Sequence, residues 1–107
     1  MLKLEEIHGA KDFKESDVEV PEWGGAVKVR TLSMAARYEI SERSLKDGKV
    51  DTIKFAAGTL ASGIVEPKMT YEDALKVVEG HSPEPIQRLV DEVWKLSGLT
   101  EQIAKNV

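Results

Sequence analysis

Cysteine is absent from the chain, and with it any disulfide framework, thiol nucleophile or cysteine metal site. That absence fits a reducing compartment. Long apolar runs are missing too. The longest weakly polar stretch, Phe55 to Val65, falls far short of the roughly 20 residues that a membrane span requires. The opening MLKLEEIHGAKDF scatters charges among its apolar residues and lacks the apolar core of a signal peptide. A cytoplasmic protein that meets no membrane is expected.

Catalytic signatures are equally scarce. There is no phosphate-binding loop, dinucleotide fingerprint or nucleophile elbow. Gly24-Gly25 precedes a strand rather than a helix, so it is no phosphate cradle. His8 lies in an N-terminal arm and His81 in a loop, neither with a partner at a useful spacing, and solvated histidines are the simpler reading. Asp47–Asp51 (DGKVD) superficially resembles a calcium loop but lacks its alternating oxygen ligands and closing Glu; a turn between helices is expected there. Glu72-Asp73 and Asp91-Glu92 are sequence neighbours and point to different sides of a helix, so neither can work as a paired acid and base. The expectation is a protein that is not an enzyme and uses no metal and no cofactor.

Charge is abundant, at 32% of residues with a net −4. It is unevenly spread. Residues 26–49 hold six basic side chains (Lys28, Arg30, Arg37, Arg43, Lys46, Lys49) against three acidic, whereas residues 12–22 hold five acidic against Lys14 alone. Solvated faces that balance each other across a hairpin account for this pattern. A small DNA-binding regulator would rest only on the 26–49 cluster. Residues 52–80 could form a helix-turn-helix, but MTYEDALKVVEG would face phosphates with acid. No nucleic acid partner is expected.

The 107 residues suffice for one core, removing roughly 65% of the unfolded surface from water. Residues 1–16 read as a polar, loosely held arm. A hairpin follows over 17–32, with Gly24-Gly25 as a two-residue turn. That register sets Val20 opposite Val29, Val18 opposite Thr31, Glu19 opposite Arg30, Pro21 opposite Lys28 and Trp23 opposite Ala26. Val18, Val20, Val27 and Val29 then share one face, and Pro21 marks the first strand as an edge.

Helices are predicted over about 33–46, 52–65, 70–79 and 83–97. Ser33 caps the first, with Met34, Tyr38 and Leu45 near one face. The second places Ile53, Ala56, Ala57, Leu60 and Ile64 at helical spacing, and its small residues Ala57, Gly58, Ala61, Ser62 and Gly63 admit a close neighbour. Thr70 and Asp73 form a capping box for the third, which Gly80 closes. Ser82 and Pro83 open the fourth, whose stripe is Ile86, Leu89, Val90, Val93 and Ser97. Residues 99–107 are a tail or one further turn. The expected fold is α+β and mainly helical: an N-terminal β-hairpin packed on about four α-helices.

Two tryptophans stand out. Trp94 adjoins an apolar stripe and reads as core. Trp23, beside the glycine turn at the hairpin tip, either packs back on the helices or meets a partner. The register places it on the face opposite the valines, beside Lys28 and Arg30, where its indole can stack on these cations. Trp23, Lys28 and Arg30 are the candidate partner-binding residues.

VEVPEWGGAVKVRTLS, LASGIVEPKMTYEDALKVVEG and IQRLVDEVWKLSG resemble the small tail assembly chaperones of long-tailed phages and of prophages in Gram-positive hosts, over about residues 17–98. The resemblance implies a protein made in the bacterial cytoplasm during tail morphogenesis and absent from the mature virion. It would bind the tape measure protein, keep it soluble, and be displaced as tail tube protein polymerises. Many relatives of that kind also exist in a longer, frameshifted form. Self-association is expected from the edge strand and from the need for many copies along one partner. The alternative is a structural or adaptor component of the particle, of the head–tail connector kind.

Overall fold

A computed structural model describes residues 1–98. The valine pattern of the N-terminal third builds a sheet. Strands β1 (Glu15–Val20) and β2 (Gly25–Arg30) pair antiparallel, and β5 (Ile64–Glu66) pairs antiparallel along the other edge of β2, giving the order β1-β2-β5. Val18, Val20, Val27 and Val29 point to the core, while Asp17, Glu19, Ala26 and Arg30 stay outside. One side of the sheet therefore faces water, as antiparallel sheets allow.

The hairpin register differs from the expected one. Val18 lies opposite Val27, Asp17 opposite Lys28 and Glu15 opposite Arg30. The reversal is made by a 3-10 turn, Pro21–Trp23, closed by Gly24 at φ 78°, and not by Gly24-Gly25 alone. Pro21 supplies the φ that such a turn needs and leaves no N–H to satisfy. The offset is even, so the valines keep their face despite the wrong partners.

Among the described residues five α-helices, α1 (Leu4–Gly9), α2 (Met34–Ser44), α3 (Thr52–Gly63), α4 (Tyr71–Gly80) and α5 (Pro83–Leu96), make a mainly helical α+β fold. The arm is more ordered than its polarity suggests: it contains α1, and β1 already begins at Glu15. The first long helix stops at Ser44, because Leu45–Lys46 (β3) and Lys49–Val50 (β4) form a second, tiny ladder. Asp47 at φ 53° and Gly48 at φ 76° are its two turn residues, so Asp-Gly is the chain's true two-residue hairpin signal. No turn joins two helices directly there.

Asp51 then caps α3, its carboxylate accepting from Ile53 and Lys54 N–H at 3.1 Å each. This helix ends at Gly63, two residues earlier than the periodicity implies. The β-branched pair Ile64-Val65 completes the sheet instead, and Pro67 follows. Two expected caps form, while Ser82, the residue before α5, makes no side-chain capping bond. Ser33 Oγ accepts from Ala36 N–H at 3.0 Å, and the Thr70–Asp73 box closes with two 3.1 Å bonds. Gly80 is the last residue of α4 rather than a left-handed cap.

The core lies between the valine face of the sheet, α3 and α5. On α5, Pro85, Ile86, Leu89, Val90, Val93 and Trp94 are all buried. Trp94 stacks on Phe55 with ring centroids 5.4 Å apart, and its Nε1–H donates to Thr59 Oγ1 at 3.1 Å. Ser97 Oγ accepts from Leu32 N–H at 2.9 Å, and Thr31 Oγ1 donates to Leu96 O at 3.2 Å, tying the end of α5 to the start of α2. The small residues of α3 allow close approach, as expected. A Cβ on Gly63 would sit 2.7 Å from both Val93 methyls, and one on Gly58 would sit 3.2 Å from Ile40 Cγ1.

The expected face of α2 is wrong. Ile40 and Ser44 are buried, whereas Met34, Tyr38 and Leu45 are exposed, as is Ile53 on α3. Among the described residues no helix is long and apolar enough to cross a membrane. The expected C-terminal tail, residues 99–107, lies outside the described residues.

Candidate partner-binding surface

The hairpin tip is fastened to the helices. The 3-10 turn aims Glu22 at α5, where Arg88 Nη1 and Nη2 each donate to a carboxylate oxygen at 2.8 Å. Two parallel bonds of this kind fix orientation as well as distance. Arg88 is the main reason that the Glu22 carboxyl titrates at about 2 instead of 4.5, and the Arg88 guanidinium is pushed up in return. Glu84, one turn before Arg88, stands 3.8 Å from it as a second acid.

Trp23 follows the turn. It is half-buried against the core, with its ring edge-on to His81 at 5.0 Å and 63°. His81 is positioned in turn by a 2.9 Å contact between Nδ1 and Val77 O. The indole therefore packs against the α4–α5 connection and is not carried on the outer face of the sheet. The expected placement followed from a two-residue turn that does not form.

Lys28 sits 3.8 Å from Asp17 and lies opposite Glu66 in the β2–β5 register, with acid on both sides. Arg30 is exposed, its guanidinium 5.6 Å from the centre of the Phe13 ring. Trp23 precedes β2 and Arg30 ends it, so the length of the strand, about 16 Å at a strand's rise per residue, lies between them. Trp23 is thus parted from Lys28 and Arg30, which share the outer face of β2 two residues apart, and Arg30, one of the cations that was to meet Trp23, meets Phe13.

A cleft that the sequence did not announce opens between α2 and α3. It encloses about 250 Å³ and is lined by Ile40, Gly58, Ala61, Ser62, Met69 and Tyr71, with Glu39 and Arg43 at its rim. Arg43 lies over the Tyr71 ring at 4.1 Å and pairs with Glu39 at 3.0 Å. The small residues of α3 were the available signal. Gly58 is used for contact with Ile40, while Ala61 and Ser62 leave space beside it. Met69 comes from the approach to α4 and Tyr71 from its first position, where no periodicity marks them. The cleft suits a single apolar side chain with a polar group held at the Arg43–Glu39 rim.

The basic stretch 26–49 is partly neutralised where it stands: Lys28 by Asp17, and Arg43 by Glu39. Among the described residues no three His, Asp or Glu side chains gather as a metal site would require, and every buried polar side-chain atom has a partner. No protein-family model, curated protein or solved structure matches the chain significantly.

Proposed function

We propose that the protein is a tail assembly chaperone of a long-tailed phage or prophage. In the host cytoplasm it binds the tape measure protein, keeps it soluble, and gives way to tail tube subunits, without catalysis, metal or cofactor. The observation that carries this reading is where the three resembling stretches fall. They are the β1–β2 hairpin, the α3–β5–α4 run and α5, and they meet around one core. The resemblance therefore falls on segments that pack against one another rather than on scattered helices.

The surface suits reversible holding. Its outer sheet face is charged, its edge strand β1 is open to pairing, and exposed apolar side chains occur in small groups. Contacts of that size are individually weak, so retention of a long partner comes from many copies, and polymerising tube subunits can displace them.

Co-expression with the tape measure protein of the same genome tests the reading. The tape measure protein should become soluble and co-purify with this chain, and mass spectrometry of finished particles should lack it. A tape measure protein that stays insoluble and unbound would sink the proposal. Finding the chain in purified virions would favour a connector component instead.

A further inference from the structure

Strand β1 forms one rim of the sheet, and no strand among the described residues pairs with its outer edge. We propose that this edge is a docking site for an extended segment of another protein, one that carries lysine or arginine at alternate positions.

The backbone supplies the first observation. Thr31 N–H donates to Lys14 O at 2.9 Å, and these two residues lie one step beyond the Glu15–Arg30 pair. Bonded and unbonded pairs alternate along an antiparallel ladder, so Ser16, Val18 and Val20 turn their N–H and C=O groups towards β2. Those of Glu15, Asp17 and Glu19 point the other way, out of the sheet. Such a row of donors and acceptors is a template for one more strand.

The side chains of the same residues supply the second. Glu15, Asp17 and Glu19 are all exposed on the outer face. Asp17 has Lys28 at 3.8 Å yet stays 67% exposed, and neither Glu15 nor Glu19 has an ion-pair partner among the described residues. Residues of an added strand that bond to these positions stand directly opposite them, with their side chains on the same face. Basic side chains are favoured there and acidic ones repelled. The positions between fall on the side of Val18 and Val20, where β-branched residues fit.

The molecule already holds one example of the match. In β2, Lys28 lies opposite Asp17 and Arg30 opposite Glu15, with Val27 and Val29 turned to the core. A second copy cannot offer this pattern to the open edge, because its β2 is paired on both sides, by β1 and by β5. Two β1 strands laid side by side with their valines on one face would set acid against acid. Strands β3 and β4 have two residues each, and β5 contains Glu66 and no base. The occupant is therefore a different chain. The inference does not depend on the tape measure reading, since it names the chemistry of the segment and not the protein that carries it.

Titration of the full chain with synthetic peptides tests it. The probe is a capped Val-Lys repeat of about eight residues, within the usual range of strand lengths. A Val-Glu repeat controls for charge, and a Gly-Lys repeat keeps the charge but forms strands poorly. The Val-Lys repeat should bind at least about tenfold more tightly than either control, and more weakly as salt is raised. Amide hydrogen exchange should slow at Asp17 and Glu19 and change little at Val18 and Val20, whose amides are already paired. Combining Glu15→Lys with Glu19→Lys, both at exposed sites, should leave melting unchanged and reverse the preference towards Val-Glu. Glu19→Gln replaces that variant if it fails to fold, and should weaken Val-Lys binding severalfold. No binding of Val-Lys at millimolar concentration, equal binding of Gly-Lys, unchanged exchange at Asp17 and Glu19, or a preference that survives the charge reversal would each overturn the proposal. So would protection of those two amides that rises with the concentration of the protein alone, since a second copy would then occupy the edge.

Discussion

Glu22 and Arg88 are 66 positions apart in the chain and meet through two hydrogen bonds of 2.8 Å. This clamp holds the hairpin tip to α5 and makes the fold sensitive to acid. The folded-state pKa of Glu22 is depressed to about 2 from 4.5. Its contribution is therefore fully present above pH 4.5 and is lost as pH falls towards about 2. Asp73, lowered chiefly by its hydrogen bonds to Thr70, acts in the same direction. Glu22→Gln should melt below wild type at neutral pH, and the gap between the two should close as pH approaches 2. Parallel melting curves with a constant gap would show that the clamp is not the titrating element.

Trp94 should be the costliest side chain to truncate. It is 1% exposed, stacked on Phe55 and bonded to Thr59. Trp94→Ala should cost about 3–5 kcal/mol by chemical denaturation. Thr59→Val, which leaves the indole N–H buried without an acceptor, should cost about 1–3 kcal/mol.

Gly63 separates sterics from propensity. Alanine favours helix over glycine by about 1 kcal/mol, yet here its Cβ would lie 2.7 Å from both Val93 methyls. Gly63→Ala should therefore destabilise, by roughly 1–3 kcal/mol. Adding Val93→Ala should cost less than the sum of the two single changes, because the small side chain makes room.

Trp23 and Arg30 now part company. Half-buried against His81, Trp23 contributes to the fold, so Trp23→Ala should cost roughly 1–2 kcal/mol of stability. Arg30 is the candidate left in water, and Arg30→Ala should leave melting within about 0.5 kcal/mol of wild type. If the outer sheet face meets the tape measure protein, Arg30→Ala weakens capture. Unchanged capture would move the binding surface elsewhere, with the Arg43–Tyr71 cleft next in line.

How much of this was legible depends on how strongly each segment is patterned. The stripe of α5 is dense and regular, and every apolar residue assigned to its core is buried. The four valines were assigned to the correct face although their partners were not, because an even offset preserves side-chain parity. What failed was local and short. A 3-10 turn over Pro21–Trp23 competes with a neighbouring Gly-Gly, and nothing in the glycines says which one closes the loop. On α2 the core-facing side carries Ile40 with only the small Ala36 and Ser44 beside it, so the large apolar side chains Met34 and Tyr38 mislead: both are exposed. Strand β5 looks helical in sequence because Ile64 continues the spacing of α3; its identity comes from the open edge of β2, a partner far away in the chain. The candidate site suffered most, since its placement depended on the turn.

The order of synthesis gives the sheet's geometry a further meaning. Strands β1 and β2 leave the ribosome before α5, the helix that lies against them, and before β5, the strand that completes the sheet. A two-stranded hairpin is barely stable alone in water. A nascent chain halted before Pro83 would thus expose an apolar valine face beside an open strand edge. Until α5 arrives, a protein proposed to guard an aggregation-prone partner is itself a chain in need of one.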